Sequence, residues 1–167
     1  TSFDMTLKID YYSSSDIGTY IKLTNSFSIV PFSLPKKTLF KIKSVLGENF
    51  PIIFSNVIGS RCQGRLLICN SKGVVLPSVT TPEEMSCIKN AVPDNVVVRY
   101  SDEKLTALGN CIVANDFIGL ISPDLSQKTE ELLCDTLGIE VLKTYIGPLS
   151  LVGSYCVLNN NRGLIHS

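Results

Sequence analysis

The sequence predicts an α+β protein built from repeats of about 45 residues, each with the order strand, strand, helix, strand. The phrase LGNCIVANDFIGLISP at residues 108–123 recurs in looser form around GTYIKLTN, GRLLICN and GSYCVLN. Turn asparagines recur at intervals of 45, 45 and 44 residues, at Asn25, Asn70, Asn115 and Asn159. The candidate helix caps Thr81 and Ser126 are also 45 residues apart. Each unit is too small to bury both of its faces alone, so neighbouring units must pack together.

The first unit begins with a weakly alternating segment at residues 1–12, which predicts an edge strand. Residues 20–23 and 27–32 predict a hairpin that turns at TNS. The segment KKTLFKIKSVL at residues 36–46 predicts a helix, which ends at Gly47 and Asn49. Its inner face holds Leu39, Ile42, Val45 and Leu46. Its lysines lie on other faces of the helix. They could form an ordinary solvated surface or bind phosphate, and the sequence leaves both interpretations open.

The second unit begins with an apolar strand at residues 51–58, followed by the loop GSRCQGR, which displays Arg61 and Arg65. A phosphate cradle would need a helix N-terminus, but the apolar run LLIC that follows predicts a strand. The second hairpin spans residues 65–77. Thr81, Pro82 and Glu84 predict a helix start with a capping box, and its buried stripe is Met85, Ile88 and Val92. The valines of residues 96–100 predict a strand buried on both faces.

The third unit repeats this plan with a hairpin at residues 110–122, a helix from Ser126 to Gly138, and a strand at residues 141–145. The inner side chains of the helix are Leu132, Leu133 and Leu137. A fourth hairpin spans residues 154–165. We therefore predict a single repeat domain over residues 1–167, with units at about 1–50, 51–100 and 101–147 and an incomplete unit at 148–167.

Composition and charge narrow the classes of function. Apolar residues make up 44% of the chain and charged residues 18%, and no apolar run approaches the roughly 20 residues that span a bilayer, so no membrane association is expected. The formal net charge is zero, whereas a general nucleic-acid binder shows a strong basic excess. Residues 1–81 carry nine basic and four acidic residues, and residues 82–167 carry six and eleven. This asymmetry fits docking to a partner, or simply opposite charges on neighbouring surfaces.

The cysteines and the single histidine predict no metal or cofactor site. The six cysteines contain no CxxC pair and most lie in apolar runs, which is typical of buried reduced thiols. Zinc needs more ligands of suitable spacing than His166 and these cysteines offer. Cys156 and His166, on either side of the last turn, are the one pair that suggests a thiol nucleophile with a base.

Three segments carry a family resemblance: GRLLICNSKGVVLP, KLTALGNCIVANDFIGLISPDLSQKTEELL and LVGSYCVLNNNRGLIH. They closely resemble eukaryotic and archaeal translation initiation factor 6. The resemblance covers about residues 16–166 and is strongest from Gly59 onward. Residues 30–50 depart from it, because PFSLPKKTLFKIK stands where the family usually has a glycine-containing segment.

The resemblance implies a fold and a non-catalytic function. The fold would be a pentein-type propeller of five ββαβ units around a pseudo-fivefold axis, of which this sequence holds about three and a third. We therefore expect the fifth unit to belong to a longer chain. The implied function is ribosome anti-association and large-subunit biogenesis: the factor binds the large ribosomal subunit and sterically blocks the small subunit. A GTPase and its cofactor protein release it, and it acts in the cytoplasm and in the nucleus and nucleolus, as a monomer when full length.

The resemblance also implies a partner-binding face at Gly18, Arg61, Arg65, Asn110, Asp116 and Tyr155. Equivalent positions of a ring lie on one rim, so Arg65, Asn110 and Ser154, which each follow the repeated glycine, should share a face. The contact would be mainly with a ribosomal protein, with a minor rRNA contribution. Alternatively, the glycines serve the backbone, Asn110 and Asp116 cap turns, and Tyr155 is packing. Two other functions stay open: a pentein-fold Cys/His enzyme that modifies guanidines, and an interaction module unrelated to ribosomes.

Overall fold

The computed structural model describes residues 8–166, in which one run of elements recurs. The first run comprises α1 (Ile17–Tyr20), β1 (Lys22–Leu23), β2 (Ser28–Val30), α2 (Lys36–Leu46) and β3 (Ile52–Phe54). The second comprises α3 (Gln63–Leu66), β4 (Ile68–Cys69), β5 (Gly73–Pro77), α4 (Pro82–Ala91) and β6 (Val97–Ser101). The third comprises α5 (Leu108–Cys111), β7 (Ile112–Ala114), β8 (Ile118–Ile121), α6 (Gln127–Leu137) and β9 (Glu140–Lys143). The last elements are α7 (Val152–Tyr155), β10 (Cys156–Leu158) and β11 (Gly163–Ile165).

The sheets are small and share one topology. In β1–β2–β3, β4–β5–β6 and β7–β8–β9, the first two strands are antiparallel and the third is parallel to the second. The long helix of each run provides the crossover that a parallel neighbour requires. The strands β10 and β11 form an antiparallel pair. The fold is therefore mixed α+β with several small sheets, which do not close into a barrel within residues 8–166. None of the helices described is long and apolar enough to cross a membrane.

Each run begins with a single helical turn, where the sequence predicted the start of a hairpin strand. The residues Leu108–Cys111 are α-helical, so the strand of the phrase LGNCIVANDFIGLISP begins only at Ile112. The predictions around residues 65 and 154 were wrong in the same way, because α3 and α7 occupy those positions. A four-residue turn is too short to display a helical period, and its apolar residues resemble those of a strand.

The asparagine repeat arises from the hairpin turns. The Oδ1 atom of Asn70 accepts hydrogen bonds from the backbone N–H groups two and three residues ahead, and Asn115 and Asn159 do the same. In the first hairpin this role belongs to the hydroxyl of Thr24, which accepts from the amides of Ser26 and Phe27. The predicted equivalence of Asn25 with Asn70 was therefore wrong by one residue.

The long helices begin and end largely as predicted. Thr81 and Glu84 form the full capping box of α4, and Ser126 accepts a hydrogen bond from the amide of Thr129 at the start of α6. Gly138 ends α6 in the left-handed conformation, with φ of +60°. The helix α2 follows Pro35 without a side-chain cap, and its Val45 is 37% exposed rather than buried.

The hydrophobic core lies between neighbouring sheets. One cluster joins Phe27, Ile29 and Ile53 of the first run to Leu67 and Ile88 of the second, and α4 packs against β3. Another joins Ile68 and Val75 of the second run to the third run, where α6 packs against β5 and β6. The helices α4 and α6 thus cover the preceding sheet, whereas α2 packs within the first run, where Ile42 joins Val30 and Leu34.

Two strand predictions fail. The strand β6 buries only one face, since Val97 is 43% exposed, so the prediction of two-sided burial was wrong. The predicted edge strand at residues 1–12 falls partly outside the described residues. Between Lys8 and Tyr12 the structure contains no strand, and Tyr11 forms only an isolated bridge with Ser14.

Candidate partner-binding site

The four single-turn helices α1, α3, α5 and α7 gather at one end of the hairpins, and each has glycine as its second residue. A Cβ atom on Gly64 would overlap the carbonyl oxygen of Gly18. In the same way, a Cβ atom on Gly109 would overlap the carbonyl oxygen of Gly64, and one on Gly153 would overlap that of Gly109. The helical turns therefore meet backbone to backbone, an approach that only glycine permits. This contact fixes the positions of the side chains next to each glycine.

The residue after each glycine is polar, and it differs from turn to turn. Thr19, Arg65, Asn110 and Ser154 all line one open cavity of about 770 Å³. The Nε atom of Arg65 donates a hydrogen bond to Thr19 Oγ1 at 2.9 Å. Within residues 8–166, the side chain of Asn110 makes no hydrogen bond and is half-buried. Four equivalent backbone positions thus present four different polar groups at one rim, which is a suitable basis for asymmetric recognition.

The interior wall of this cavity includes Lys22 and Cys69. Burial raises the pKa of Cys69 to about 12. The Lys22 ammonium opposes this effect and lowers the pKa, whereas the Asp116 carboxylate raises it further. Burial lowers the pKa of Lys22. The Cys69 thiol is therefore protonated at neutral pH and is a poor nucleophile.

Asp116 lies at the opposite end of β7 from Asn110, in the second position of its hairpin turn. Its Oδ1 atom accepts hydrogen bonds from the Ser71 amide at 2.8 Å and the Ser71 hydroxyl at 2.6 Å. Its Oδ2 atom accepts from the side-chain amides of Asn25 at 2.6 Å and Asn160 at 2.8 Å. These three partners hold the same position in the other hairpin turns. One carboxylate therefore connects all four turns.

Burial alone would raise the pKa of Asp116, but the hydrogen bonds from Ser71, Asn160 and Asn25 outweigh it and lower the pKa to about 2. Both oxygens are engaged within the chain. The geometry thus favours the turn-stabilising role that the sequence had left open beside the partner-binding one.

The predicted site residues fall into three places. Gly18, Arg65, Asn110 and Tyr155 line the same cavity, whereas Asp116 stands at the far end of the hairpins. Arg61 is exposed, and its guanidinium carbon lies 6.0 Å from the centre of the Tyr11 ring, beside the first run. Sequence reasoning overlooked Thr19, although the rule that selected Arg65, Asn110 and Ser154 also identifies the residue after Gly18.

Cys156 and His166 do not form a catalytic pair. Cys156 is buried and pairs across the hairpin with Ile165, while the His166 ring packs edge-on against Tyr155 with 5.6 Å between centroids. Burial raises the pKa of the Cys156 thiol, which is the opposite of what a nucleophilic cysteine needs. The described part of the chain also holds no group of three or more histidine, cysteine or acidic side chains that could bind a metal ion.

Comparison with known proteins gives one consistent result. The model of the eIF-6 family matches residues 6–167. The chain is 41% identical to eukaryotic translation initiation factor 6 of Tetrahymena thermophila over 97% of its own length, and 37% identical to that of Saccharomyces cerevisiae over 97%. It is 45% identical to the factor of Guillardia theta over 96% of its length and 71% of the relative's. The chain spans 66% of the length of the Tetrahymena and Saccharomyces relatives.

Proposed function

The chain belongs to the eIF-6 family, and from this we propose that it binds the large ribosomal subunit and sterically prevents the small subunit from joining. The family membership and the names of the relatives support this proposal. We also propose that its runs of elements are consecutive blades of a pentein-type propeller of five units. The shared sheet topology and the sequential contacts of the four helical turns support that arrangement.

The observation that carries the proposal is the rim formed by Thr19, Arg65, Asn110 and Ser154. Steric exclusion requires a rigid body held in one orientation, and it requires no bond chemistry. The glycine contacts hold the rim backbone rigidly, and the differing polar groups allow only one orientation of a partner. We propose that the partner is mainly a ribosomal protein with a minor rRNA contribution, because the chain has no net positive charge.

The biological setting is part of the same proposal. The factor takes part in maturation of the large subunit in the nucleus and nucleolus and acts on it in the cytoplasm. A GTPase with a cofactor protein then releases it. Release by an energy-consuming enzyme suits a tight steric block, because slow spontaneous dissociation would otherwise keep the subunit inactive.

Sedimentation with purified large subunits tests the proposal. We expect the wild-type chain to co-sediment, and Asn110→Arg to weaken binding by roughly tenfold or more, because the larger charged group disrupts the rim. Asn90→Arg, on the exposed side of α4, is the matched control and should bind like wild type. Failure of the wild type to co-sediment would contradict the ribosomal function and favour an unrelated interaction module. Equal binding by Asn110→Arg, with its fold intact, would remove Asn110 from the interface.

A further inference from the structure

The outer face of α2 differs from the outer faces of α4 and α6. The three helices align on Pro35, Thr81 and Ser126, the residues that precede them. Five residues after these positions stand Phe40, Ser86 and Glu131, which are all exposed. The exposure is shared, so this position faces outward in every run. Only α2 places an aromatic ring there, and that ring is 72% exposed.

The charge of α2 is also unlike that of its counterparts. The segment KKTLFKIKSVL contains four lysines and no acidic residue, whereas PEEMSCIKNA of α4 and QKTEELLCDTL of α6 are both net acidic. Lys36 and Lys37 occupy the first turn, where the helix dipole disfavours positive charge, and no side chain caps this end. Lys43 pairs with Glu48, but Lys36, Lys37 and Lys41 form no ion pair within the described residues. The stability of the helix therefore does not explain these lysines.

Further exposed aromatic rings adjoin the N-terminal end of α2. Tyr12 is 64% exposed and Phe32 is 61% exposed. The Tyr12 hydroxyl donates to the carbonyl of Ser33, next to Phe32 in the chain. Tyr11 also contacts Ser33 through its hydroxyl, and Arg61 stands over the Tyr11 ring. We call the surface formed by Tyr12, Phe32, Lys36, Lys37, Phe40 and Arg61 the α2 face.

We propose that the α2 face binds single-stranded RNA. Lysine and arginine side chains hold a phosphate backbone, and exposed aromatic rings between them provide stacking surfaces for unpaired bases. The α2 face combines both groups on one rigid helix and the adjoining loops. An acidic protein segment would use the lysines but would gain little from three separate, highly exposed rings. The inference goes beyond the proposed function, because it concerns a surface outside the rim and a ligand that needs no ribosomal protein.

Fluorescence anisotropy with a labelled oligo(U) of about 12 nucleotides tests the inference directly. We expect Lys36→Glu/Lys37→Glu to weaken binding by roughly tenfold or more and to reduce the slope of log K against log salt by about 1.4, since two phosphate contacts are lost. The matched control is Lys89→Glu/Lys104→Glu, which makes the same change in net charge at exposed positions away from α2. Only the α2 variant should lose affinity.

A second pair of variants tests the stacking contribution. Phe40→Ala should weaken binding roughly tenfold without affecting the fold, because the ring is exposed. Phe117→Ala removes a ring that is 66% exposed in a hairpin turn and should leave binding unchanged. If both double lysine variants lost the same affinity for oligo(U), binding would depend on net charge alone and the inference would be overturned.

The ribosomal assay separates this inference from the proposed function. Binding to large subunits without binding to oligo(U) would overturn the inference and leave the proposed function standing. Binding to oligo(U) that depends on the α2 face, without binding to subunits, would support the inference and contradict the proposed function. Binding to vesicles of phosphatidylserine, but not to oligo(U), would overturn the inference in favour of a membrane surface.

Discussion

Two glutamates each join the start of a long helix to the loop before the single-turn helix of the same run, one from the helix and one from the loop. The carboxylate of Glu84 caps α4 and also accepts hydrogen bonds from the amides of Ile58 and Gly59, at 2.9 and 2.7 Å. Glu103 belongs to the loop before α5, and it accepts from the Ser126 amide and the Thr129 hydroxyl at the start of α6. Burial would raise the pKa of Glu103, but these hydrogen bonds lower it to about 2. Single carboxylates thus fix how a loop meets a helix.

Asp116 should make the chain sensitive to acid. Its pKa is lowered from 3.8 to about 2 in the folded state, so its stabilisation is present above about pH 4 and is lost as the pH falls through about 2. Asp116→Asn removes this contribution and should lower the free energy of unfolding by about 1 kcal/mol near neutral pH, a value reduced for partial solvent screening. Urea unfolding of both proteins at several pH values measures the difference.

The expected signature is that the difference between wild type and Asp116→Asn shrinks between about pH 4 and about pH 2. Glu103 titrates in both proteins, so its contribution cancels in the comparison. A difference that stayed constant over this range would mean that the Asp116 carboxylate does not hold the four turns through its charge.

At the scale of elements, the helical turns depend on glycine in a way that can be measured. Gly109→Ala should destabilise the chain by about 3 kcal/mol, because the new methyl group overlaps the Gly64 carbonyl and the two backbones must separate. Gly18→Ala is the matched control: it lies at the same position of α1, where a Cβ atom meets nothing within 4 Å. Its effect should stay within about 0.5 kcal/mol. Equal effects in thermal unfolding would disprove the close backbone packing.

The elements that the sequence predicted correctly are those with local signals. The capping box of Thr81 and Glu84 acts within one turn, and the stop at Gly138 follows from its left-handed conformation, so both could be recognised from neighbouring residues. The helical turn at Leu108–Cys111 has no such signal. It is fixed by packing between helical turns from different runs, which a local pattern does not reveal.

In the candidate site too, the positions set by the sequence repeat could be predicted, whereas the contacts between distant segments could not. The repeat placed Arg65 and Asn110 at equivalent positions, and the structure brings both to one cavity. The repeat also made Asp116 a turn residue, but its four-way network depends on Asn25, Ser71 and Asn160 arriving from other hairpins. Val97 was misjudged because a run of valines does not show which face another element covers.

At the scale of the whole molecule, stability should differ from one end of the described fold to the other. The cluster that contains Cys69 has twelve buried residues drawn from two runs, whereas the cluster that contains Cys156 has four. Because these two cores each lie between adjacent sheets, opening one sheet need not open the others, as in repeat proteins. The strand pair β10–β11 should therefore open more readily than β4–β5–β6.

Alkylation of the thiols measures this difference, because Cys69 and Cys156 are each only 3% exposed and must be uncovered before they react. Under native conditions we expect iodoacetamide to modify Cys156 roughly tenfold faster than Cys69, as followed by peptide mass spectrometry. In denaturant, where burial no longer raises either pKa, the two thiols should react at similar rates. Equal native rates would show that the sheets open as one cooperative unit. A native rate at Cys156 as fast as in denaturant would mean that the last hairpin is not folded against Val113 and Val152.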